Sequence, residues 1–411
     1  MANHSDAFAS LRISNFRSFL STKVLTSLAI LMQQTVIGWQ VYELTGDKLS
    51  LGLIGLSEAV PFIVTTFYSG YASDKFNRKY LLLIFTFLLA CGMGLLSWVS
   101  YDAAPLLKQY GALPLYVILA LNGISRAFLA PLNLAIQARI VPKFLYANAA
   151  TWSSNTFYLG AIVGPIAAGL LLEVFAPWVV YSIISGVLIL SFLVSFLVPS
   201  QSVDKAHLEG ESFIGAVSKG IKFVFKTEAI VSAISLDLFA VLFGGVAALL
   251  PAFCKDILFV GPAELGVLKT ALFAGSAVMG IAMAYYPPTI NAGRNLLASV
   301  ALFGVSIIGF ALSGNFYLSY FFLFMAGVFD NVSVIIRATI MQVFTPDDMR
   351  GRVGAVNSIF IKSSNEIGDF ESGAVARLIG LVPAVIFGGI MTLIVVGVTN
   401  KLAPSLKKLK L

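Results

Sequence analysis

Glu58, Arg126, Asp237, Asp330, Lys362, Glu366, Asp369 and Glu371 stand inside long apolar runs of this sequence. A carboxylate in such surroundings can take up and release a proton, and with an Arg or Lys nearby it forms an ion pair that opens and closes. A histidine relay is excluded, because His4 and His207 lie outside the runs. Cys91 and Cys254 are far apart and give neither a disulfide framework nor a metal-ligand spacing. Proton or ion chemistry in this chain therefore falls to carboxylates.

Spacing narrows the candidates. Ser358, Lys362, Glu366 and Asp369 follow one another at four, four and three residues, which places them on one helical stripe. Lys362 and Glu366 can pair at i,i+4, leaving Asp369 as the more available acid. Glu58 lies about seven residues after the start of its run and Asp369 about seven before the end of its own, which puts both at one depth if the two helices run in opposite directions. If they approach, two like charges favour keeping one proton between them. The same two acids would equally suit a cation, and either one alone would suit a wet vestibule. Asp237 stands near mid-run beside Ser232 and Ser235, where a substrate contact and a buried interhelical hydrogen bond are both open. Lys269, near a run end, reads as a snorkelling lysine, and Trp39, Tyr42 and Tyr158 are further wall candidates.

These residues need elements that hold them in place. The 411-residue chain is 58% hydrophobic and 11% charged, with a mean hydropathy of +0.90. Soluble domains carry roughly 25% charged residues, so a water-facing surface is ruled out, and with it a soluble enzyme or a nucleic-acid binder. A bilayer core of about 30 Å takes about 20 apolar residues per helix. Such windows fall at 19–42, 51–73, 80–101, 114–138, 149–172, 177–198, 228–251, 264–286, 295–313, 316–340, 353–376 and 382–402. The first window follows a polar start with Arg12 and Arg17 and no small-residue cleavage site, so it reads as a retained span. Of 27 Lys and Arg, twenty fall in the tails, the even-to-odd loops or the adjoining helix ends if the N-terminus is inside. The predicted topology thus has both termini in the cytoplasm, and the net charge of +7 reflects that topology more than an anionic partner.

The segment 199–227, polar at first and amphipathic from Phe213 to Phe225, divides the spans into a half at 1–198 and a half at 228–411. The amphipathic part reads as a linker helix on the membrane surface. The halves repeat. A shift of 204 lays Gly123 on Gly327, Pro142 on Pro346, Gly164 on Gly368 and Gly169 on Gly373, while a shift of 214 lays Leu51-Gly52 on Leu265-Gly266. Parallel repeats imply a pseudo-two-fold axis along the membrane normal and a path between the halves. The first shift also superposes Arg126 on Asp330, which such an axis would place at one depth; if both line the path, they could form a switchable ion pair or hold opposite charges of a substrate, and contacts within each half are the other possibility.

After the second span the chain reads Gly70-Tyr-Ala-Ser-Asp74-Lys-Phe-Asn-Arg78-Lys79. This resembles the GxxxDxxxRK signature of the major facilitator superfamily, at the loop where that family carries it. Gly160-x-x-x-Gly164-Pro165-x-x-x-Gly169 resembles the superfamily's antiporter motif, although close helix packing uses the same spacing. Phe16-Arg-Ser-Phe, Gly38-Trp-Gln-Val-Tyr-Glu-Leu-Thr-Gly46, Pro346-Asp-Asp-Met-Arg-Gly-Arg-Val353 and Ser364-Asn-Glu-Ile-Gly-Asp-Phe-Glu-Ser-Gly373 resemble the subfamily that contains the enterobactin exporter. The resemblance implies an all-α membrane protein of two six-helix halves that exports a siderophore-like or drug-like molecule in exchange for protons from a bacterial inner membrane. It implies further that Asp74 with Arg78 forms an inner gate, and that no cofactor and no nucleic acid are involved. A monomer is expected, with a small-molecule substrate, protons and the bilayer as partners. An importer, a divalent-metal carrier using Glu58 and Asp369, a lipid carrier and a membrane receptor are the alternatives.

Overall fold

A computed structural model describes residues 7–101, 105–200, 213–286, 291–346, 349–407 and 409. Among the described residues the chain is helical and forms no strand. The helices in chain order are α1 (Ser14–Thr45), α2 (Lys48–Lys75), α3 (Arg78–Ser100), α4 (Pro105–Tyr110), α5 (Leu113–Ile140), α6 (Tyr146–Val174), α7 (Pro177–Ser195), α8 (Phe213–Lys226), α9 (Glu228–Gly244), α10 (Leu250–Phe253), α11 (Pro262–Tyr285), α12 (Ala292–Leu312), α13 (Phe316–Phe344), α14 (Arg350–Ile379), α15 (Leu381–Leu402) and α16 (Pro404–Lys407).

Their boundaries follow local chemistry. The Asn77 side chain accepts from the Lys79 N–H at the head of α3, and Asn315 does the same for Tyr317 and Leu318 at the head of α13. At α11 the Glu264 carboxylate reaches back to the Gly261 N–H, 3.0 Å away. Among the described residues, eleven helical segments are long and apolar enough to cross a bilayer. The 30-residue α14 has the length as well, but Arg352, Lys362, Glu366, Asp369, Glu371 and Arg377 lower its hydropathy.

One element departs from the sequence reading. The seventh span was expected to run straight over 228–251, but α9 stops at Gly244. A 3-10 turn over Ala247–Leu249, the short α10 and a π-helical turn at Cys254–Leu258 follow, ending on Phe259 in the left-handed region at φ 53°. Gly244-Gly245 weakens the helix and Pro251 supplies no N–H; a hydropathy window registers neither. The amphipathic stretch forms a helix, α8, that packs on α14: a Cβ on Gly220 would stand 2.9 Å from the Arg352 carbonyl oxygen, and Val224 is buried.

Chain contacts divide the molecule into two compact units, Met1–Gln40 with Ser57–Gly210, and Val41–Leu56 with Glu211–Leu411. Lipid tails are as apolar as leucine, so helices in a bilayer associate through close packing and polar ties more than through hydrophobic burial. In the first unit the Tyr181 hydroxyl and Ser100 hydroxyl donate to Gln40 Oε1 at 3.0 and 3.3 Å, linking α7 and α3 to α1. Gly160 and Gly164 let α6 approach the α1 backbone: added Cβ atoms would lie 3.2 and 3.1 Å from Leu28 N and Leu31 Cβ. In the second unit a Cβ on Gly368 would lie 2.8 Å from the Leu242 carbonyl oxygen, and a Cβ on Gly327 would overlap the carbonyl of Leu272. A buried apolar cluster joins Val224, Ile230, Leu296, Ile340, Val356 and Ala403 at one end of this unit.

Candidate functional site

In the first unit, α5 crosses α2 where a Cβ on Gly123 would overlap the Glu58 carbonyl oxygen. Arg126 follows Gly123 by three residues, close to one helical turn. That crossing brings its guanidinium onto Glu58 Oε2. Glu58 is 5% exposed, and its second oxygen, Oε1, is buried with no hydrogen-bond partner among the described residues. A buried acceptor in that condition carries a desolvation cost and remains open to a proton or a donor group.

The second unit holds a matching pair. Arg337 of α13 contacts Asp237 Oδ2 of α9, and each of the two is 6% exposed. Side chains on a helix lean toward its start, and Arg337 follows the rule, its Nε donating to Ser333 Oγ at 3.3 Å. One turn further back stands Asp330, in electrostatic reach of both Arg337 and Asp237. Asp237 is thus the direct partner of this guanidinium, with Asp330 a second carboxylate in its field.

A third group of charges lies on α14. The Asp369 carboxylate accepts from the Ala248 N–H and faces Lys269 of α11 electrostatically. Beside it, Glu366 Oε2 is 2.9 Å from the place a Cβ on Gly55 would take, and Gly373 would put a Cβ 2.8 Å from the Lys48 carbonyl oxygen. Glycines on both α2 and α14 therefore bring the acidic stripe against the α2 tip. Lys362 and Glu366 both have interaction partners. Next to Glu371, the Ser372 hydroxyl donates to the Gly245 carbonyl at 2.9 Å.

The tips of α1 and α2 carry a charge cluster of their own. The Tyr42 hydroxyl donates to Asp256. Lys48 lies 3.6 Å from Asp256, Lys255 3.8 Å from Glu43, and Arg377 3.7 Å from Asp47. The π-helical turn is what presents Lys255 and Asp256 to these partners.

Several expectations change in this light. Arg126 pairs with Glu58, the contact within one half that the sequence left open. Lys269, read from the sequence as a snorkelling lysine, is partly exposed and has Asp369 in electrostatic reach. Tyr42 is buried and donates to Asp256 at a helix tip. Among the described residues no three His, Cys, Asp or Glu side chains gather as a metal site.

The signature segment forms the α2–α3 hairpin. The Gly70 carbonyl accepts from the Ser73 hydroxyl at 2.7 Å, Arg78 Nε donates to the Ser73 carbonyl at 3.1 Å, and Lys79 Nζ donates to the Phe196 carbonyl at 2.7 Å. The side chain of Asp74, and the residues Asp347 and Asp348, lie outside the described part. Gly160, Gly164, Pro165 and Gly169 are all buried in α6. Arg337 went unnoticed in the sequence, where it counts among the cations at span ends. Asp330-x-x-Ser333-x-x-x-Arg337 has the same three-and-four spacing that singled out the α14 stripe, and that spacing was the available signal.

A family model described as a transmembrane secretion effector, MFS_3, matches residues 5–409. The multidrug efflux pump Tap of Mycolicibacterium fortuitum is 24% identical over 392 residues, 91% of each chain. The enterobactin exporter EntS of Salmonella typhi is 22% identical over 356 residues, covering 85% of this chain and 81% of its own. Among solved structures, a D-xylose–proton symporter aligns over 97% of this chain and 100% of its own with a TM-score of 0.75 at 14% identity. A POT family transporter in complex with 5-aminolevulinic acid aligns over 95% of this chain and 96% of its own with a TM-score of 0.76 at 10% identity.

Proposed function

Since the chain belongs to the transmembrane secretion effectors of the major facilitator superfamily, we propose that this transporter exports a small organic molecule from a bacterial cytoplasm in exchange for protons. The observation that carries the proposal is the buried carboxylate–guanidinium pair in each unit, Glu58 with Arg126 and Asp237 with Arg337. A charge inside a bilayer is costly, and a plain packing contact would be served as well by apolar residues. Pairs of this kind suit exchange: a proton arriving on Asp237 frees Arg337, which then has Asp330 as its alternative partner. A siderophore-like or amphiphilic drug-like substrate is in keeping with the two named relatives. Cation placement favours cytoplasmic termini, and a monomer contains both units.

The test is transport in inverted membrane vesicles from cells expressing the chain, with an imposed proton gradient and a fluorescent amphiphile or enterobactin as substrate. Accumulation is expected to depend on the gradient, to collapse with an uncoupler, and to be lost in Asp237→Asn. Accumulation that survives the uncoupler would remove proton coupling from the proposal, and uptake in the opposite direction would make the chain an importer.

A further inference from the structure

Between α9 and α15 lies an open groove of about 420 Å³, lined by Ser232, Ser235, Phe239, Val398, Thr399 and Leu402 among others. Its walls are apolar apart from these hydroxyls. In apolar surroundings a helical Ser or Thr commonly returns its hydrogen bond to the carbonyl four residues back. Thr66, Ser306, Thr339 and Thr392 do so in this chain. The side-chain hydroxyls of Ser232, Ser235 and Thr399 make no hydrogen bond among the described residues, although all three residues line one groove.

Cations gather at the end of the groove where α15 finishes. Lys401 is seven residues beyond the groove residue Ile394 and so shares its helix face. Lys219, Lys222 and Lys226 are exposed along one stripe of α8. Val224, Ile230 and Ala403 share one buried cluster, so the end of α8, the start of α9 and the end of α15 come together. Glu228 is the acid at this end, on the first turn of α9. An apolar trough with free hydroxyls along it and an excess of lysine at its mouth has the polarity of one class of molecule. We propose that the groove is a binding site for an anionic glycerophospholipid. An acyl chain lies along Phe239, Val398 and Leu402, the ester oxygens accept from Ser232, Ser235 and Thr399, and the phosphate rests against Lys226 and Lys401.

This site is separate from the ion pairs and is tested without reference to transport. The full-length chain, purified in mild detergent, is mixed with phosphatidylglycerol or phosphatidylcholine of equal chain length, and retained lipid is counted by native mass spectrometry. One phosphatidylglycerol per chain is expected to persist under conditions that strip phosphatidylcholine. Ser232→Ala/Ser235→Ala/Thr399→Val and, separately, Lys226→Gln/Lys401→Gln should each weaken retention roughly tenfold, the loss of one to three modest hydrogen bonds or charge contacts. Their thermal midpoints in lipid-free detergent should match wild type, which distinguishes a lost site from a lost fold. Equal retention of the two lipids, or unchanged retention in both variants, overturns the proposal. If a variant misfolds, Ser235→Trp, which fills the trough from one wall, serves in its place; retention unaffected by the indole would equally overturn it.

Discussion

Arg337 stands two helical turns beyond Asp330 and one beyond Ser333, so its side chain, leaning back along α13, passes Ser333 on its way to Asp237. Removing either member of a buried pair strands the other, which typically costs about 3–5 kcal/mol. Arg337→Gln should therefore lower the thermal midpoint of the purified protein strongly, and Asp237→Asn/Arg337→Gln should regain most of the loss. Equal midpoints for the single and double variants would show that the pair does not govern stability. Asp330 makes no such direct pair; Asp330→Asn should leave the midpoint near wild type while slowing gradient-driven transport, and unchanged transport would remove it from the path. Glu58, Arg126, Asp237 and Asp330 were legible in the sequence because a charge in an apolar run is conspicuous. Arg337 was not, because its position near a span end gave it the look of a topological cation, and only the side chain's backward lean takes it into the interior.

At the scale of elements, the two halves repeat a crossing. Gly123 of α5 meets the backbone of Glu58, and Gly327 of α13 meets the backbone of Leu272; the shifts of 204 and 214 seen in the sequence map one contact onto the other. Adding a methyl group at either place forces backbones apart, an overpacking that costs typically 1–3 kcal/mol. Gly123→Ala and Gly327→Ala should each reduce the thermal midpoint. Gly186 of α7 has open space around it, so Gly186→Ala should be neutral or stabilising by up to about 1 kcal/mol. A similar fall in all three would mean that glycine content as such is at issue, not these crossings. Hydropathy located the spans well because burial in lipid depends on composition over about 20 residues. It missed the end of α9 and the π-helical turn, which depend on Gly244-Gly245, Pro251 and one left-handed residue. Phe259 is 83% exposed at φ 53°. Phe259→Gly should therefore keep stability close to wild type, while Phe259→Val, with a β-branched side chain in the left-handed region, should lose roughly 1–2 kcal/mol. Equal stability of the two would show that the backbone there is not strained.

For the molecule as a whole, the α1–α2 tips matter because they belong to the second unit although the chain on either side of them belongs to the first. Their ties to Lys255, Asp256 and Arg377 are partly exposed, and exposed pairs contribute about 0–1 kcal/mol each. Lys255→Glu should change transport less than about fivefold, and Glu43→Lys introduced with it should restore the wild-type rate; failure of the exchange would mean that this pair is incidental. The same arrangement has a consequence in time. At about 5–20 residues per second, a ribosome needs roughly ten to forty seconds after making Lys48 to reach Asp256, so the first hairpin enters the membrane long before its charged partners exist. During that interval its Tyr42, Glu43, Asp47 and Lys48 must stay soluble in the water and headgroups at the membrane edge.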